Sequence, residues 1–271
     1  MQENAMKLTA HFYEQFDADY AQAVPAESFG GWKSCSVTLA PKHTALVLMH
    51  AWDCGTGDQY PGWYRTVEYL PRAEKICKII FPPLLAAARN SSVRVFHVVG
   101  GGDYYRNLPG YKKAVKLAGP APDPPEQITV DPHLEKLQQA RRPHGHHNQD
   151  DIRRGFENLD FPTEAKPLGE EGIAENTPQL FALCREHGIN HLIYAGFALN
   201  WCLLLSPGGM ADMSRHGIMC SALRQAVTAV ENRETAREQL GKQIALWRVA
   251  LAFGYVFDVD DFIGALDNRR A

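Results

Sequence analysis

His191 to Met213 reads HLIYAGFALNWCLLLSPGGMADM, and this stretch decides how the chain folds. The run His191-Leu192-Ile193-Tyr194-Ala195 is apolar, rich in β-forming residues and closed by Gly196, so it reads as a buried strand. A short Phe197-Ala198-Leu199-Asn200 connection follows. Cys202 then stands near the start of a second apolar run that reads as a helix. The first turn of a helix offers unpaired backbone N–H groups and the positive end of the helix dipole, and both favour a thiolate. The same pattern also describes an inert cysteine in a core helix, so this segment alone leaves both readings open.

Outward from this stretch, strands alternate with helices. Thr44–Met49, TALVLM, is a continuous apolar run expected to be a strand buried on both faces, and His50 follows it directly. Val93–Val99 reads as another strand, ended by Gly100-Gly101-Gly102. No GK[ST] or GxGxxG follows these glycines, so they are no phosphate loop. Val67–Arg89 has helical spacing with a bend at Pro82-Pro83. Thr177–His187 reads as a compact helix with Thr177 as its cap, Pro178 in its first position and Gly188 at its exit. Ile218–Cys220 suggests a short strand, Ala222–Ala252 a long charged amphipathic segment, and Tyr255–Phe257 a last edge strand. Such alternation implies βαβ units and a parallel sheet sandwiched by helices, with the site beyond the carboxyl ends of the strands. His50 and Cys202 both sit just past strand ends and converge if their strands are neighbours. Asp103–Pro162 is proline-rich and polar, and reads as a long excursion from this sheet rather than a second domain. It is placed to cover the site or to reach a neighbouring subunit.

Composition sets the surroundings. The 271 residues suffice for one large α/β domain over 1–271, with 45% apolar and 22% charged residues. A net charge of −3 gives no basic field for nucleic acid, and no apolar run is long enough to span a bilayer. Cys35, Cys54, Cys77, Cys184, Cys202 and Cys220 form no CxxC pair. With no signal-peptide core at the start, they are expected to be reduced thiols of a cytoplasmic protein. His144, His146 and His147 form a local cluster able to ligate a metal, but its polar, arginine-flanked setting suits a solvated loop better.

TALVLMHAWD, GFALNWC and the intervening helix together resemble the isochorismatase-like cysteine hydrolases, which include nicotinamidases and N-carbamoyl amidohydrolases. The likeness spans about Thr44 to Glu231 without the excursion. It implies a three-layer α/β/α fold and a catalytic set of aspartate, lysine and cysteine. By that resemblance the nucleophile falls on Cys202, a cis peptide falls at Phe197–Ala198, and the oxyanion hole comes from the N–H groups of Ala198 and Cys202. The aspartate position falls on His50. The lysine position, counted past Pro167-Leu168-Gly169-Glu170-Glu171-Gly172-Ile173, falls on Glu175, and Lys166 lies before that segment. The replacements restore an opposite-charge pair with the signs exchanged, so His50 is expected as base and Glu175 as the carboxylate that orients it.

Asp53 and Lys166 stand as alternatives beside the thiol, although Asp53 equally suits a loop cap. The metal-binding Asp-x-His segment of nicotinamidases has no counterpart in GGGDYYRN, so neither metal nor cofactor is expected. The implied activity is hydrolysis of a small-molecule amide, carbamoyl or ureido C–N bond through a Cys202 thioester. The alternative is a catalytically degenerate homologue acting in binding or assembly. The resemblance also implies a homo-oligomer.

Overall fold

Residues 5–120, 123–141 and 144–267 are described by the computed structural model of this chain. Eight strands build one sheet in the order β2-β1-β8-β7-β6-β3-β4-β5. They are β1 (Met6–Glu14), β2 (Gly31–Leu39), β3 (Thr44–Met49), β4 (Arg94–Val98), β5 (Gly172–Ala174), β6 (His191–Gly196), β7 (Met219–Val227) and β8 (Val256–Phe257). Strands β3 to β8 pair in parallel, and the β1–β2 hairpin adds antiparallel through β8. The helices are α1 (Pro61–Thr66), α2 (Leu70–Ile79), α3 (Phe81–Arg89), α4 (Pro109–Ala118), α5 (Pro132–Ala140), α6 (Gln149–Glu157), α7 (Thr177–His187), α8 (Met210–Arg215), α9 (Leu240–Ala252) and α10 (Val259–Asp267).

The continuous apolar runs are the central strands because both faces of the sheet are covered. In β3, Leu46 and Leu48 join a core with α2, α3 and α10, whereas Ala45, Val47 and Met49 join a second core with α4, α7, α8 and α9. The period of two in a strand thus splits one apolar run between two helical layers. Gly196 closes β6 at φ +116°, where a Cβ would lie 2.0 Å from the Met49 carbonyl oxygen, so only glycine permits this approach of β6 to β3.

Several expectations are corrected. Ala222 begins no helix: β7 runs on to Val227 and α9 starts only at Leu240. Val256–Phe257 lies inside the sheet, between β7 and β1, and is no edge strand. Asp103–Pro162 is only partly an excursion, because α4 packs against α7 and β5 in the core. Asn176, not Thr177, caps α7, accepting a hydrogen bond from the Gln179 N–H at 3.0 Å. The Thr177 hydroxyl instead donates to Asp212 at 2.7 Å and accepts from the Gly208 N–H at 2.8 Å. Gly188 leaves the helix in the left-handed region, as expected.

Candidate active site

The parallel strands all point their carboxyl ends to one edge, and backbone hydrogen bonds stitch those ends together. The His50 N–H donates to the Val98 carbonyl at 2.9 Å, Val99 to Ala174 at 2.9 Å, Phe197 to Met49 at 3.0 Å, and Leu199 to Thr228 at 2.8 Å. His50 follows β3, Gly100 follows β4, Glu175 follows β5 and the Phe197–Cys202 turn follows β6. The three expected site residues therefore share this edge.

Cys202 is half-buried in a five-residue π-type turn, Leu199–Leu203, rather than in the first turn of a long α-helix. Such turns are rare and occur often at functional sites. The Ala198 carbonyl accepts from both Trp201 and Leu203, at 3.1 and 3.2 Å, and so tightens the turn. The Phe197–Ala198 peptide is cis, as the resemblance implied. The Ala198 N–H donates to no group among the described residues.

His50 takes a left-handed conformation, φ +50°. Its ring stacks on Trp52 with centroids 4.8 Å apart and planes 16° from parallel. A Cβ at Gly100 would come within 3.2 Å of Nε2, so the glycine leaves room for the ring. Nδ1 is buried and has no hydrogen-bond partner among the described residues. Burial lowers the His50 pKa to about 4, which keeps the imidazole neutral at pH 7.

Glu175 does not reach His50, and the expected His50–Glu175 pair is not made. Its carboxylate accepts from the Tyr105 hydroxyl at 2.8 Å and the Tyr111 hydroxyl at 2.6 Å, and lies 3.5 Å from the Arg106 guanidinium. Burial alone would raise its pKa, but the tyrosine hydrogen bonds and the Arg106 charge outweigh that and hold it below the usual range. With the Gln179 amide at 3.4 Å, four donors outcompete one ring for a single carboxylate.

The two alternatives make contacts of their own. Asp53 is exposed and caps its own loop by accepting from the Gly55 N–H at 2.9 Å, while its backbone bridges Asp160. The Lys166 amine lies 3.3 Å from the Asp160 carboxylate at the surface. His144 and His147 are exposed, and no group of three metal-ligating side chains gathers among the described residues. Among the described residues no helix is long and apolar enough to cross a membrane.

Sequence reasoning missed the support of the turn. Burial and then the nearby Cys202 sulfur raise the pKa of the Tyr69 hydroxyl, and the Tyr69 ring lies 6.4 Å from Phe197. Arg72 donates to both Glu68 oxygens at 2.9 Å, to the Thr228 hydroxyl at 3.0 Å and to the Ala229 carbonyl at 3.1 Å. It thereby fixes the segment on which Leu199 hangs. The Glu68–Arg72 spacing of four is the one signal the sequence offered. A cavity of about 490 Å³ opens beside Trp52, between Cys54, Tyr64, Glu74 and Cys77, and is lined by neither His50 nor Cys202.

No family model matches the chain. The ureidoacrylate amidohydrolase RutB of Serratia proteamaculans (strain 568) is 31% identical over 88 residues, 32% of each protein. The match thus spans about a third of that curated relative. Among solved structures, an isochorismatase-like hydrolase from Alkaliphilus metalliredigens aligns with 82% of this chain and 98% of its own, at 16% identity and TM-score 0.48. A cysteine hydrolase from Pseudomonas syringae pv. phaseolicola 1448A aligns with 84% and 94%, at 15% identity and TM-score 0.47. N-carbamoylsarcosine amidase from Thermoplasma acidophilum aligns with 80% and 96%, at 14% identity and TM-score 0.44. The neighbours named here are isochorismatase-like or cysteine hydrolases and an amidase.

Proposed function

We propose that this chain is an isochorismatase-like hydrolase that cleaves an amide, carbamoyl or ureido C–N bond of a small molecule through a thioester at Cys202. The observation that carries the reading is the half-buried Cys202 in a π-type turn on the same sheet edge as the neutral His50 imidazole, whose buried Nδ1 has no hydrogen-bond partner among the described residues. The partial likeness to a ureidoacrylate amidohydrolase supports the bond class.

In this reading His50 takes the Cys202 proton as the sulfur adds to the carbonyl carbon. The N–H groups of Ala198 and Cys202 receive the oxyanion. Collapse breaks the C–N bond, and the His50 proton goes to the leaving nitrogen. Water, deprotonated by His50, then adds to the thioester and frees the acid and the thiol. A ring held near pKa 4 is a weak base at rest, and the developing thiolate stabilises the imidazolium as it forms. Glu175 serves as a positioning residue for Tyr105, Tyr111 and Arg106, not as the partner of His50.

A panel of N-carbamoyl and ureido compounds, assayed for ammonia or amine release with intact-mass detection of an acyl-enzyme, tests the proposal. The expected result is turnover by the wild type and an adduct confined to Cys202, both absent in Cys202→Ala. No turnover and no adduct across the panel, with Cys202 inert to alkylation, would leave the degenerate homologue as the better account.

A further inference from the structure

At the opposite pole, where the parallel strands begin, a cavity of about 700 Å³ opens at the amino ends of β4 and β5. Arg94, the first residue of β4, lines it together with Lys113 of α4 and His187 at the end of α7. Arg89 and Glu171 also face it but are spent on each other. The Arg89 guanidinium holds Glu171 through two hydrogen bonds of 2.7 and 3.0 Å, and the His97 ring adds a third at 2.9 Å. Arg94 and Lys113 make no ion pair among the described residues. The remaining acid on the wall is Glu170. Burial and then the charges of Arg94 and Lys113 disfavour the protonated form of His187.

A concave wall with an excess of one charge concentrates the opposite one. An arginine and a lysine converging from separate elements suit the equatorial oxygens of a phosphoryl group, the arginine through its planar fork and the lysine as a point charge. His187 and Phe96, whose ring centroids lie 6.1 Å apart, both line the cavity. We propose that this cavity is a second ligand site, distant from Cys202, which takes a small multiply charged anion of the phosphate-ester or pyrophosphate class. The proposal stands apart from the hydrolase reading, because none of its residues lies on the carboxyl edge of the sheet.

Pyrophosphate titrated into the full chain by isothermal calorimetry, with sodium chloride holding the ionic strength constant, tests it. NMR of the His187 ring, assigned with His187→Gln, locates the event. Expected are one saturable site, His187 signals that move with the same midpoint, and at least tenfold weaker binding in Arg94→Gln/Lys113→Gln. The single variant Arg94→Gln should be intermediate, and Arg153→Gln, on α6, should bind as the wild type does. Alkylation of Cys202 should be unchanged by pyrophosphate. Absence of saturable binding, equal affinity in the double variant, or protection of Cys202 with His187 unmoved would each overturn the proposal.

Discussion

Cys54, Cys77, Cys184 and Cys220 are buried, and burial pushes each thiol up to about 12. Cys35 is exposed and Cys202 half-buried. Iodoacetamide near pH 7.5 should therefore alkylate Cys202 and Cys35 and spare the other four, as peptide mapping would show. Early labelling of Cys54 or Cys184 would contradict the packing described. His50→Gln should slow alkylation of Cys202 and lower kcat by about 10²–10⁴-fold, the usual range for a lost general base. Equal rates in the variant would remove His50 from the mechanism. Both positions were legible from apolar runs: His50 directly follows one, and Cys202 stands near the start of another, just past a strand-to-turn junction. The partner of Glu175 was not, because it depends on where Tyr105, Tyr111 and Arg106 return to the sheet. No spacing along the chain reports that. Glu175 itself was placed on the right edge by counting from its strand, and the carboxylate found donors that a sequence pattern does not rank.

Helix α7 separates two effects that lie one residue apart. Asn176→Ala removes the cap and should cost about 1 kcal/mol in denaturant unfolding, with little change in turnover. Thr177→Ala leaves the cap intact but frees Asp212 and the Gly208 N–H, so it should disturb the loop behind the Cys202 turn and lower activity more than stability. The reverse ranking would show that the loop and the turn are uncoupled. On α4, Gly110→Ala would set a Cβ 1.9 Å from the Glu171 carbonyl oxygen and should destabilise by about 2–3 kcal/mol through overpacking. The fully buried strands β3 and β6 were readable as elements, since short, nearly unbroken apolar runs leave few alternatives. β1 and β2 were not, because their half-exposed faces break any continuous run. β7 was misread beyond Cys220 because Ala-Leu-Arg-Gln-Ala favours a helix locally. Its pairing with β6 and β8 decides otherwise.

Acid should unfold the whole molecule in two stages. Burial holds both His50 and His191 at about 4. In the unfolded chain these rings bind protons near pH 6.5, so the unfolded state carries more protons between the two values. Stability is complete above pH 6.5 and falls as the pH drops towards 4, by on the order of 3 kcal/mol at most for each ring. For Glu171, burial would raise the pKa, but the hydrogen bonds from His97 and Arg89 outweigh it and hold the carboxylate at about 2. Its contribution is present above pH 4.5 and lost below. Thermal melts from pH 7 to 4 should show a falling Tm, and His191→Gln should flatten that slope. An unchanged slope would mean that His191 titrates alike in both states. The sheet order has a consequence in time. β1 finds β2 close by, but its other neighbour is β8, and the Thr9 N–H meets the Asp261 carboxylate across 252 residues of chain. During synthesis this hairpin emerges ahead of the other strands of the sheet and must hold, one edge open, until β8 and α10 arrive. The earliest of the eight strands is thus among the last to be locked.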